Sequence, residues 1–245
     1  MVFPCNYKDD QAKIDSYAAA CKVHGLQIAE VGSWGCNVLA EDATEKAKSI
    51  SQCIHQLELA EYIHADCCVS CSGARGPVWD GPYPENFSPK TYEMVVETTQ
   101  QIVDAVNPKY TAYSLEPMPW MYPNTPENYL QLIQDVNREG FGVHMDMINM
   151  ICSPEKYFFN AEYTNTAFAL LGKYIKSCHI KDVAMGSKLT TLLKEGPCGE
   201  GGFDLKNYIA QIDQISPDMT VIIEHLESYE LYFKTIDYIN SLLKA

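Results

Sequence analysis

Seven short runs of apolar, β-branched and cysteine residues recur along the 245-residue chain, separated by longer stretches of helical period. The runs are "MVFP" (1–4), "LQIAEVG" (26–32), "DCCVSCS" (66–72), "YTAYSLE" (110–116), "FGVHMDM" (141–147), "YIKSCHIK" (174–181) and "TVIIEHL" (220–226). Short, nearly continuous apolar runs predict strands buried on both faces. Between them, Ala47, Ile50, Ile54, Leu57, Ala60 and Ile63 return at steps of three and four, which predicts a helix over 43–63. Glu41 and Asp42 precede it, where the helix dipole favours negative charge. Ser88 and Pro89 open a second helix reaching about Val106. A third has Thr125 as cap, Pro126 as first residue and Gly140 just past the end.

Strands alternating with helices predict a parallel sheet covered by helices, in one α/β domain over residues 1–245. No G-x-G-x-x-G follows the first run, which favours a closed barrel over an open dinucleotide-binding sheet. The "GEGG" at 199–202 follows no clear strand and is a weak phosphate-loop signal.

Polar residues interrupt four runs near their C-terminal ends: Glu116, Asp146, His179 and Glu224. A carboxylate in such a run is costly unless something pairs with it. In a barrel of parallel strands these ends share one mouth, where active sites lie. The four are therefore expected to hold one divalent cation: Mn²⁺, Mg²⁺, Co²⁺ or Zn²⁺. Lys181, two residues from His179 on the same strand face, is expected to balance the excess negative charge. His144 shares the face of Asp146 one layer deeper and reads as a core hydrogen-bonding residue. His225 points away from Glu224 and reads as structural. Trp34, Trp120 and Tyr122 follow strands and are expected to wall a pocket. Glu200 in "CGEGG" is expected to hydrogen-bond ligand hydroxyls.

Composition narrows the partners. A net charge of −14 excludes nucleic acid and anionic membrane surfaces, which require clustered Lys and Arg. Arg75 and Arg138 are the only arginines, so bidentate phosphate recognition is scarce. No apolar run approaches the roughly 18 residues that span a bilayer. The start, "MVFPCNYKDD", lacks the basic and apolar regions of a signal peptide. Ten scattered cysteines then read as reduced, mostly buried thiols of a cytoplasmic protein. Cys68 and Cys71 form a C-x-x-C, but three-residue spacing along a strand puts them on opposite faces.

The segments "YSLEPMPW", "VHMDMIN", "KSCHIKD", "GPCGEGGFD" and "VIIEHLE" resemble the xylose isomerase-like TIM barrels, a group of sugar isomerases, 3-epimerases and inosose dehydratases with endonuclease IV as a distant relative. "GLQIAEVGSW" and "LELAEYIHADCCV" resemble that family's third strand and its passage into the fourth. The resemblance implies that Glu116, Asp146, His179 and Glu224 bind the metal and that Glu116 and Glu224 also move protons. The expected reaction is isomerisation or epimerisation of a sugar or inosose through an enediolate. Dehydration by the same site is the alternative, and a non-catalytic binding protein a further one. A phosphodiesterase like endonuclease IV would need more His ligands and a basic groove, and the six histidines and net charge of −14 speak against it. Two departures separate the chain from tagatose 3-epimerase-like members. Asn149 stands where they carry a substrate-binding His, and only Lys181 and Lys188 follow His179 where they carry an Arg.

The family's barrel opens with a strand and helix that precede "MVFP". The expected fold is thus a TIM (β/α)8-type barrel lacking its first strand and helix, with seven recognisable strands. The edges beside the gap expose backbone groups, so either they close into a seven-stranded barrel, or another chain or segment covers them, or solvent reaches the opening. The expectation is a partly open barrel that forms a homo-oligomer joined near residues 1–10 and 220–230.

Overall fold

Strands form within six of the seven apolar runs. In the computed structural model, which describes residues 3–243, they are β1 (Glu30–Gly32), β2 (Cys67–Ser70), β3 (Tyr113–Leu115), β4 (Phe141–Met145), β5 (Ile175–Ile180) and β8 (Val221–Ile223). They build one sheet in the order β1-β2-β3-β4-β5-β8, parallel throughout. Between β5 and β8 lies a separate antiparallel hairpin of β6 (Asp182–Met185) and β7 (Leu193–Gly196), which the apolar pattern does not predict.

The sheet is strongly curled. Strands three places apart in a flat sheet are separated by about 14 Å. Yet Cys67 Sγ of β2 and Ser177 Oγ of β5 lie 3.0 Å apart across the interior. At the base, the Thr220 hydroxyl before β8 bonds the Asp66 carboxylate before β2. The six strands thus form a half-barrel of TIM type.

The first run departs from expectation. Met1 and Val2 lie outside the described residues, and Phe3 and Pro4 form no strand. Phe3 donates one backbone bond to Glu30 O at 2.8 Å. Pro4 has no N–H with which to continue a ladder. Among the described residues the count is therefore six strands in the sheet, not seven.

Helices α1 (Gln11–Val23), α2 (Ala43–Ile63), α3 (Pro89–Val106), α4 (Pro126–Val136), α5 (Met147–Met150), α6 (Pro154–Phe158), α7 (Asn160–Leu171), α8 (Leu205–Ile215) and α9 (Tyr229–Leu242) complete the fold. Asp42, Ser88 and Thr125 cap α2, α3 and α4 through their side chains. Helix α4 ends earlier than predicted: Asn137 adopts the left-handed conformation (φ 47°) and closes it, so Gly140 instead leads into β4. Leu57, Ile102, Leu132, Leu171 and Ile212 bury the inner faces of the helices against Val31, Cys68, Leu115 and Val143 of the sheet. All ten cysteines are free thiols, and all but Cys152 are buried. Two buried tyrosines tie helices to the strands that carry the polar residues. Tyr129 places its hydroxyl 2.5 Å from Leu115 O and 3.2 Å from His144 N. Tyr208 places its own 2.9 Å from His179 O and 3.2 Å from Met145 O.

Candidate metal centre

Three carboxylates occupy equivalent places in the fold. Glu116, Asp146 and Glu224 are each the first residue past a strand, after β3, β4 and β8. His179 is the penultimate residue of β5. The curl brings one ligand atom from each of the four within 4.8 Å of the others. His179 Nδ1 lies 2.9 Å from Glu224 Oε2, 3.3 Å from Glu116 Oε1 and 3.8 Å from Asp146 Oδ2. Asp146 is wholly buried and its Oδ1 caps α5 by accepting the Asn149 N–H at 3.1 Å.

Lys181 stands inside this cluster. Its Nζ lies 2.5 Å from Glu224 Oε1, 2.8 Å from Asp146 Oδ2 and 3.1 Å from Glu195 Oε2. Residues 179 and 181 share a strand face, as the alternation predicts. Glu195 of β7 had no sequence signal, because it sits in a hairpin without apolar alternation.

The electrostatics follow from burial and proximity. Burial pushes the Glu116 carboxyl up to about 7, against the pull of His179. Burial alone would raise Asp146, but Lys181 and His179 outweigh it and hold the carboxyl well below the usual range. Burial would lower His179, yet the surrounding carboxylates of Asp146, Glu116, Glu224 and Glu30 hold it well above the ordinary imidazole value. The His225 hydrogen bond draws Glu195 down to about 2.

The donor set fits a divalent cation. Oxygen and imidazole donors suit Mg²⁺, Mn²⁺, Co²⁺ and Zn²⁺ alike. Two of the ligand atoms, Asp146 Oδ2 and His179 Nδ1, are buried without a well-aligned hydrogen bond, although charged neighbours are close. Asp146 Oδ2 keeps an electron pair for a cation, and His179 Nδ1 gains one when it gives up its proton.

A cavity of about 900 Å³ opens over the cluster, lined among others by Trp34, Trp120, Asn149, Glu116, His179 and Glu224. Asn149 donates to Glu116 Oε1 at 3.1 Å. The Trp120 indole is fixed by donating to Asp80 O at 2.6 Å. Two expected pocket residues lie elsewhere. Tyr122 packs edge-on against Phe87 and Tyr92, and its hydroxyl donates to Phe87 O, so it buttresses a loop and does not line the cavity. Glu200 is exposed and pairs with Lys234 of α9 at 3.3 Å, away from the cavity wall. His225, expected to point away, turns toward the site instead. Strand β8 ends at Ile223, and His225 has φ 56°, so strand alternation no longer governs it. Its Nδ1 is 3.1 Å from Glu195 Oε1 and its Nε2 3.4 Å from Glu224 Oε2.

His144 hydrogen-bonds within the core, as expected: its Nδ1 lies 2.6 Å from Ser177 Oγ. Beside it is a carboxylate not singled out in the sequence. Glu30 of β1 is 1% exposed, and its Oε2 is 3.8 Å from His144 Nδ1 and 3.9 Å from His179 Nε2. The signal was the same as for Asp146, a carboxylate inside an apolar run, here "LQIAEVG".

No helix among the described residues is long and apolar enough to cross a membrane. Sequence comparison with curated proteins gives no match. Solved structures resemble the chain in fold. A xylose isomerase-like TIM barrel protein from Mycobacterium smegmatis, in complex with magnesium, superposes with a TM-score of 0.72 at 16% identity, covering 97% of this chain and 79% of that one. The 3-keto-D-glucoside 4-epimerase of E. coli gives 0.68 at 17% identity, covering 94% and 85%. A probable 3-DHS dehydratase of petrobactin synthesis from Bacillus anthracis gives 0.71 at 15% identity, covering 97% and 84%. A family model described as the xylose isomerase-like TIM barrel matches residues 3–242. With nearly its whole length matched, the chain belongs to the xylose isomerase-like TIM barrel family.

Proposed function

We propose that the protein is a metal-dependent isomerase or epimerase of a sugar or inosose-like substrate. The observation that carries this is the convergence of Glu116, Asp146, His179 and Glu224 beneath an open cavity. A divalent cation held by these four would polarise a substrate carbonyl and stabilise the charge that develops on it. The chain's own residues do the rest. Glu116 and Glu224 are the two proton carriers: one takes the proton from carbon, the other returns it, from the opposite face in an epimerase. Asn149 orients Glu116 through its hydrogen bond. Lys181 offsets the surplus negative charge of Asp146 and Glu224. Trp34 and Trp120 wall the substrate in.

The cavity also argues for a neutral substrate. Neither arginine lines it: Arg75 pairs with Glu41 and Arg138 with Asp104. Asp80 and Glu195 do line it, outside the four residues assigned to the cation, and their charge opposes a phosphate group. The test is a panel of sugars and inososes incubated in D₂O with the metal-loaded protein and followed by NMR. Solvent deuterium entering at carbon supports proton transfer; no exchange with any member opposes it. A dehydratase is the second reading, favoured by the fold's likeness to the probable 3-DHS dehydratase. It would show loss of water in the same spectra.

Self-association is part of the proposal. Among the described residues β8 ends the sheet, and α9, which follows it in the chain, exposes Tyr229, Phe233 and Ile236, with Phe233 67% exposed. Light scattering is expected to give a mass above that of one chain; a clean monomer opposes it.

A further inference from the structure

Glu30 is a carboxylate on the inner face of the half-barrel, one layer below the four residues assigned to the cation. Its Oε2 makes no hydrogen bond to any described residue. A buried carboxylate without a donor is costly, so its neighbours matter. Two imidazoles face it, His144 and His179, whose rings meet edge to face with centroids 4.0 Å apart.

His179 presents its two nitrogens to different surroundings. Nδ1 faces Glu116, Asp146 and Glu224. Nε2 lies 3.9 Å from Glu30 Oε2. A neutral imidazole carries one N–H, and the nitrogen that gives its electron pair to a cation cannot be the one that bears it. With a cation on Nδ1 the proton sits on Nε2. A shift of about 1 Å brings Glu30 to hydrogen-bond distance of that N–H. We infer that Glu30 is the positioning residue of His179, accepting its Nε2–H and fixing the tautomer and ring plane with which Nδ1 meets the cation. Such a carboxylate also makes the imidazole a stronger donor toward a metal. The inference rests on the metal assignment proposed above and extends it to a residue that does not touch the cation.

A competing arrangement would place a second cation on Glu30, Cys67 and His144, whose ligand atoms also lie within 4.8 Å of one another. The hydrogen bonds disfavour it. His144 Nδ1 is engaged by Ser177 Oγ at 2.6 Å, and the same hydroxyl lies 3.0 Å from Cys67 Sγ. Burial also holds the Cys67 thiol protonated, whereas a metal needs the thiolate.

The test uses full-length protein labelled with ¹⁵N-histidine and titrated with Zn²⁺, read by calorimetry and two-dimensional NMR. Wild type is expected to bind one equivalent, with His179 bound through Nδ1 and its Nε2–H seen as a slowly exchanging low-field proton. Glu30→Gln, isosteric and uncharged, is expected to weaken Zn²⁺ binding by about 10–100-fold. Its Nε2–H signal should move upfield and exchange faster. A merely structural role for Glu30 would not move that signal. If Glu30→Gln does not fold, the wild-type spectrum decides alone: a His179 Nε2 without a proton in the Zn²⁺ complex overturns the inference. Unchanged Zn²⁺ affinity in folded Glu30→Gln, with binding abolished in Asp146→Asn, overturns the role of Glu30 and leaves the metal assignment standing. No Zn²⁺ binding by wild type overturns both. A second equivalent lost in Cys67→Ser assigns Glu30 to a cation and overturns the positioning role.

Discussion

Lys181 Nζ lies 2.8 Å from Asp146 Oδ2, and both side chains are almost wholly buried. This ion pair, with Glu224 on its other side at 2.5 Å, holds adjacent buried carboxylates together. Burial alone would lower the Lys181 pKa, but Asp146 and Glu224 hold it above its ordinary value, so it stays charged. Removing one partner of a buried pair leaves the other uncompensated, at a cost of about 3–5 kcal/mol. Lys181→Met is therefore expected to destabilise the metal-free protein by about that amount, measured by urea denaturation in the presence of a chelator. An unchanged midpoint would show that Asp146 needs no such partner.

Metal binding should release protons. Without the cation, burial holds the Glu116 carboxyl near pKa 7, and carboxylate neighbours keep His179 protonated well above its ordinary range. A cation competes with both protons. Affinity for Mn²⁺ should rise as pH is raised from about 6 to about 8, and calorimetry in buffers of different ionisation heat should register the released protons. Stability of the metal-free protein has the matching sign. Both groups have folded pKa values above the unfolded ones, so their contribution is present at low pH and lost as pH rises: for Glu116 between 4.5 and about 7, for His179 above 6.5. Asp146 acts the other way, losing its contribution as pH falls below 3.8. A pH-independent Mn²⁺ affinity would contradict the coupling.

Glu224→Gln should reduce turnover by at least 10²–10⁴-fold, the usual worth of a positioned proton carrier. The fold should be nearly unchanged, because the Glu224 side chain faces the cavity and is 12% exposed. Circular dichroism and steady-state rates on the substrate found in the D₂O panel check the two halves. Near-normal turnover would remove Glu224 as a proton carrier.

A neutral sugar or inosose should bind in preference to its phosphorylated form. With Asp80 and Glu195 lining the cavity outside the cation set and both arginines engaged elsewhere, we expect at least about a tenfold preference, or about 1.4 kcal/mol. Competition experiments with matched neutral and phosphorylated ligands measure it. Tighter binding of the phosphorylated form would contradict the electrostatics of the cavity.

The sequence revealed most where a local physical conflict marked the residue. Asp146 and Glu116 stood out because a carboxylate closing an apolar run demands a partner, and the strand alternation placed Lys181 beside His179. Glu30 carries the same conflict, as close to the end of its run as Glu224 is to the end of its own, but it opens β1 whereas Glu116, Asp146 and Glu224 follow their strands, a difference in depth that the apolar run does not show. Tyr122 and Glu200 show the opposite limit. A loop residue's direction is set by what packs beneath it, here Tyr92 and Phe87 for one and Lys234 for the other. Strand alternation in "VIIEHLE" points His225 away from Glu224, whereas the left-handed backbone of His225, past the end of β8, turns it toward the site. The β6–β7 hairpin had no apolar alternation to announce it, so Glu195 could not be placed near Lys181.

Diffraction from crystals soaked in Mn²⁺, with anomalous differences recorded, tests the central claim most directly. The claim predicts one Mn²⁺ at the mouth of the half-barrel, with Glu116, Asp146, His179 and Glu224 each supplying an atom at about 2.0–2.6 Å. An anomalous peak at a different place, or none near these four side chains in a crystal that takes up Mn²⁺, would contradict it.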